Sequence, residues 1–200
     1  MAFGRKESQP VLAALKKHGL LLQTDGLLPN VCALVIGAPV RGSWWAHPRS
    51  HDIFRVSGEL ADNPDVLVVK LISAKVTYVY RALWPDIIAI GRARAAWQLE
   101  RISPAARELL EDVDRAPVLT DRRLAKAASE LEKVLLVVSE QVHTAAGSHA
   151  RQIESWGHWI QRQQLAPSKM KVAGAIAALE QRMDSLNTQF QARARLPWQS

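Results

Sequence analysis

The sequence predicts a mainly α-helical protein with one small β-hairpin, an α+β chain in which the strands come early and the remainder is helical. Three observations carry this. Residues 66–72 and 75–81 are rich in β-branched and aromatic side chains and are separated only by Ser73 and Ala74, as two antiparallel strands would be. Prolines, glycines and cap-forming residues punctuate the flanking segments at helix-length intervals. From residue 120 to about 164 no strand signal is read, only Leu124, Leu131, Leu135, Val138 and Val142 at helical spacing. The expected division is a hairpin-bearing domain over 1–117 and a helical region over 118–200.

Ser8 and Pro10, followed by Val11, Leu12 and Leu15, read as a capped first helix that Gly19 closes. A short apolar run then leads to the Asp25-Gly26 turn. Pro29 opens a second helix, which Gly37 stops, so Gln23 and Asp25 are expected on the connection between two helices. Two prolines and a glycine make residues 38–50 an ordered loop anchored by Trp44 and Trp45. Ser50 or Asp52 can cap a third helix that turns Ile53, Phe54, Val56 and Leu60 to the core and ends at Asn63-Pro64. After the hairpin, Pro85 starts a helix whose apolar stripe runs on to Leu99, and Ser103-Pro104 starts another that ends at Pro117. A long helix is expected next, breaking around Gly147. A further helix carries Ile153, Trp156 and Ile160, and Ser168 caps a last one bearing Leu179, Met183 and Leu186.

A chain of 200 residues with 48% apolar and 22% charged side chains has the composition of a folded globular protein. Its 26 Lys and Arg against 19 Asp and Glu give a net charge of +7, which favours polyanionic partners. No apolar run approaches the roughly 18 residues of a membrane span, and the first residues lack the apolar core of a secretion signal, so a cytoplasmic location away from membranes is expected. Cys32 is the single cysteine and lies among Val31, Ala33 and Leu34. It reads as a buried, inert thiol, and cysteine-based zinc chemistry is excluded.

Helices followed by a hairpin with basic edges are the ingredients of a winged-helix-like module. Lys70, Lys75 and Arg81 are its wing candidates and Arg41, Arg49 and Arg55 the loop candidates, gripping phosphates with little choice of sequence. The competing reading is a small α+β domain whose charges only solvate its surface. Trp44 and Trp45 offer flat rings on which an unstacked base can rest, although a tryptophan pair more often packs on a core. His47 and His51 are four residues apart with Pro48 between them. That interval cannot lie on one helix, so phosphate contact or capping is preferred to a metal for His47. Gln23 and Asp25 place an amide and a carboxylate two residues apart, able to orient a water and to stabilise positive charge on a sugar carbon. The alternative is a plain turn.

The run from His18 to Pro29, the Gly42-Ser-Trp-Trp-Ala-His-Pro48 loop and the segment from Lys75 to Pro85 resemble proteins related to the AlkZ-type DNA glycosylases, over about residues 8–115. Those glycosylases are longer and use several winged-helix units, so this chain resembles a short version. For an active member the resemblance implies a monofunctional DNA glycosylase that repairs alkylated DNA without metal or other cofactor. Gln23 and Asp25 stand where the family's Gln-x-Gln or Gln-x-Asp motif positions the hydrolytic water. The alternative is a non-enzymatic DNA-binding regulator, or an interaction module forming a homodimer through its C-terminal helices.

Overall fold

The computed structural model describes residues 8–143, 149–166 and 169–199. Among them the chain forms nine α-helices and two three-stranded antiparallel sheets, which overturns the expectation of one hairpin followed by a wholly helical region. Two compact units result: residues 1–84 with 179–196, and residues 85–178 with 197–200.

In the first unit, α1 (Ser8–His18) ends at Gly19, whose φ of 76° admits the reversal into β1 (Leu20–Leu22). The run 20–22, expected as plain connection, is the missing third strand. All three leucines are buried, and β1 pairs antiparallel with the second hairpin strand, Leu20 opposite Val79 and Leu22 opposite Thr77. Asn30 caps α2 (Val31–Ile36) by accepting from the Ala33 amide, and Gly37 closes it with φ 86°. α3 (Ser50–Ala61) follows, then β2 (Val66–Lys70) and β3 (Val76–Tyr80), giving the sheet order β1-β3-β2. Val11, Leu15, Leu21, Cys32, Ile53 and Val56 meet in one core. The strands are joined through residues 72–74, where Ser73 and Ala74 both take left-handed φ, 49° and 56°.

The second unit holds the larger correction. The stripe expected past Pro85 breaks after α4 (Trp84–Gly91), where Arg94 has φ 47°, and resumes as the short α5 (Ala96–Leu99). Ser103 caps α6 (Pro104–Arg115) through the Ala106 amide. The expected long helix is instead β4 (Val118–Thr120), α7 (Ala125–Lys133), β5 (Val137–His143) and β6 (His149–Ser155), in the sheet order β4-β6-β5. Leu131, Leu135 and Val138, three of the five residues of the expected dimer stripe, are buried in their own chain on a helix, a turn and a strand in succession, so that stripe is not a helix face. Ile153 lies in β6, and only Trp156 and Ile160 belong to α8 (Trp156–Arg162). The last helix is α9 (Val172–Phe190), whose buried Leu179, Met183 and Leu186 belong to the first unit. The break near Gly147 and the Ser168 cap lie outside the described residues. No described helix is long and apolar enough to cross a membrane.

Candidate nucleic-acid interface

The site residues of the first unit fall into two groups, around β1 and around the start of α3. Gln23 continues β1 by one step, its amide donating to the Val76 carbonyl at 2.9 Å and its carbonyl accepting from Cys32 N. The side chain turns inward. Its Oε1 accepts from Tyr78 OH at 2.5 Å and from Ser57 Oγ at 3.0 Å, and Nε2 faces Cys32 Sγ at 3.7 Å. One half-buried amide thus ties together β1, α2, α3 and β3. Burial pushes the Tyr78 phenol up to about 12, so it remains a donor at neutral pH, and burial also raises the Cys32 thiol, as an inert core cysteine requires.

Asp25 does not share those partners. Its Oδ1 accepts from the amides of Leu27 and Leu28, each at 2.9 Å, closing the turn that Asp25-Gly26 foreshadowed, while Oδ2 meets Lys75 Nζ at 2.7 Å. Burial favours the neutral acid, but the Lys75 ammonium and the two amides outweigh it and hold the carboxyl below its ordinary range. Asp25 is therefore an anion throughout the neutral range. A carboxylate of that kind stabilises a neighbouring cation and is a poor proton acceptor. The Lys75 pairing joins the post-β1 turn to the hairpin, and nothing in the 50-residue interval announces it.

The second group surrounds the aromatic pair. Residues 44–46 form a single 3-10 turn, so the two rings do not diverge as they would on extended chain. They stack, with centroids 3.8 Å apart and planes 26° from parallel. Trp44 packs on the first core, whereas Trp45 is 62% exposed and has Phe54 of α3 at 6.0 Å. Phe54 was expected inside and is 57% exposed. Its neighbours Ile53 and Val56 occupy the buried stripe, so the helix carries Phe54 out onto the Trp45 side.

The expected cations are largely engaged. Arg49 donates to Asp52 Oδ2 and to the Val35 carbonyl, both at 2.8 Å, bracing the end of α2 against the start of α3. Its backbone amide donates to His47 Nδ1, so His47 closes the turn before α3. Neither Ser50 nor Asp52 caps that helix: Arg49 stands at the cap position without a side-chain bond. Arg55 pairs with Glu59, which also accepts from Ser8 Oγ, and Arg81 pairs with Asp65 at 2.7 Å. Arg41 lies exposed in the loop, and Lys70 is half-buried at the end of β2. Among the described residues no group of three or more His, Cys, Asp or Glu is placed to hold a metal ion.

No family model matches this chain, and neither a curated protein nor a solved structure matches it. The geometry of these residues is therefore the whole basis for a function.

Proposed function

We propose that the first unit binds DNA through the surface where Trp45 and Phe54 stand at the start of α3. The carrying observation is the exposed indole of Trp45, backed by Trp44 at 3.8 Å and flanked by Phe54. A rigid aromatic step on a basic protein recovers the stacking that an unpaired base loses, about 1–3 kcal/mol per base. The order helix, strand, helix, helix, hairpin, with its sheet β1-β3-β2, supports a winged-helix-like reading of this unit, in which α3 approaches the groove and the hairpin lies along the backbone. Trp45→Ala is expected to weaken binding to a duplex containing one unpaired base by roughly tenfold or more, measured by fluorescence anisotropy, with a smaller loss on a fully paired duplex. Equal affinity of wild type and variant for both duplexes would remove the reading.

A second reading, base excision, is favoured by the pinned Gln23 amide and the ionised Asp25 carboxylate standing two residues apart. In it water forms a bond to the sugar C1′ as the C1′–N bond breaks, and an alkylated cationic base leaves neutral with the bonding pair. Asp25 offsets the positive charge that develops on the sugar, and the attacking water's proton passes to solvent. Gln23 has only its Nε2 side to offer that water, because Oε1 already accepts two hydroxyls. Asp25→Asn should abolish release of a methylated purine while leaving DNA affinity within about twofold. Absence of release by the wild-type chain would leave the non-enzymatic DNA-binding reading.

A further inference from the structure

Four of the six cations expected to grip phosphates, namely Arg49, Arg55, Lys75 and Arg81, are each paired with a carboxylate of the same unit. Yet residues 1–84 and 179–196 hold 13 Lys and Arg against 8 Asp and Glu, so the excess must stand elsewhere. Part of it lies on the segment after α9. Gln191, with φ 52°, ends the helix, and Asn187 then clamps the chain: its Nδ2 donates to the Ala194 carbonyl and its Oδ1 accepts from the Ala194 amide, both at 2.9 Å. The next residue is fastened to the hairpin tip from both sides. Ser73 N donates to the Arg195 carbonyl at 2.8 Å, and Arg195 N donates to Ser73 Oγ at 3.3 Å. Leu196 is wholly buried.

The exposure pattern alternates along this stretch. Ala192 and Ala194 are partly covered, while Arg193 and Arg195 are exposed, and neither guanidinium is ion-paired among the described residues. The left-handed Ser73 presents its amide and hydroxyl together, which is what receives the segment. Two exposed cations on a segment fastened by hydrogen bonds to Asn187 and Ser73 suit a row of phosphates better than any single acidic group, because their spacing is set before binding.

We propose that Arg193 and Arg195, carried to the hairpin tip by the docked segment after α9, form the phosphate-gripping edge of the first unit for duplex DNA. This rests on the DNA-binding reading above. The test is the salt dependence of binding of the full-length chain to a paired duplex, from about 50 to 200 mM salt. Each phosphate contact contributes about 0.9 to the log–log slope, so Arg193→Ala with Arg195→Ala should flatten it by nearly two. Arg115→Ala with Arg123→Ala, exposed arginines of the second unit that pair with Asp112 and Asp121, should leave it unchanged. Far-UV circular dichroism of the arginine variants should match the wild type, since both side chains are exposed. An unaltered slope in the Arg193, Arg195 variant, with salt-dependent binding present in the wild type, overturns this assignment and leaves DNA binding standing. A wild-type chain without salt-dependent binding removes both.

Discussion

Trp156→Ala is expected to destabilise the second unit by about 3–5 kcal/mol, the largest effect of any single substitution considered. Trp156 is among the largest fully buried side chains, and its ring meets Trp159 edge-on at 5.8 Å. Its Nε1 donates to the Leu135 carbonyl at 2.7 Å. Leu135 has φ 58°, a costly conformation for a side chain branched beyond Cβ, and it sits where α7 turns into β5. Two buried donors hold that turn, because Gln98 Nε2 reaches the preceding carbonyl of Val134 at 2.9 Å. Truncating Trp156 removes the ring, opens a cavity and leaves the Leu135 carbonyl without its donor. Trp156→Phe separates these contributions: it keeps most of the volume and should cost only about 1–3 kcal/mol. Urea midpoints read by circular dichroism, with hydrogen exchange of the β5 amides, measure both. Two variants within about 1 kcal/mol of wild type would mean that this turn is not held by the indole. The room for the ring comes from Gly91, where an added Cβ would lie 2.2 Å from Trp156 Nε1.

That turn also marks where the sequence stopped being legible. Leu131, Leu135, Val138 and Val142 satisfy a helical period, but Val134, Val137 and Val138 are β-branched, and the β-branched density was the signal to follow. β6 offered no such signal. His149, Arg151, Gln152 and Glu154 are ordinary loop composition, and the segment is a strand because it pairs on both sides, burying Ile153 and seating Arg151 against Glu132 at 3.0 Å. Pairing of that kind is a tertiary fact that a local window cannot contain. β1 failed for its brevity, three leucines being too few to show an alternation. By contrast α1, α2, α6 and the β2–β3 hairpin were readable, since Gly19, Gly37, Ser103 and the β-branched runs act locally.

The candidate site divides in the same way. The residue types were legible: an amide and a carboxylate two apart, and an aromatic pair in a basic loop. Their partners were not. Ser57 and Tyr78 reach Gln23 across 34 and 55 residues, Lys75 reaches Asp25 across 50, and Ser73 meets Arg195 across 122. Spacing therefore identified which groups could act and said nothing of which were already occupied. Phe54 illustrates the converse error: an apolar type was assigned inward when the helix had filled its inner face with Ile53, Val56 and Leu60.

Gln23→Leu should destabilise the first unit by about 1–3 kcal/mol, because the leucine keeps the volume but accepts nothing. Tyr78 is 3% exposed and donates its hydroxyl to Gln23, as does Ser57, so the substitution strands both donors. Tyr78→Phe removes one donor together with its need for an acceptor, and should cost less. In the combined variant the leucine strands only Ser57, and the total should fall short of the sum by about 0.5–3 kcal/mol, the coupling expected of groups in direct contact. Strict additivity would mean that the amide and phenol do not meet, and the inward arrangement of Gln23 would be lost. The same pair of variants bears on excision. If Gln23 orients water from its Nε2 side, the leucine abolishes base release, while Tyr78→Phe leaves the amide in place but less firmly held and slows release without abolishing it. Release unaffected by Gln23→Leu, in a chain that excises, would assign the amide to scaffolding alone and leave Asp25 as the one reacting group of the pair.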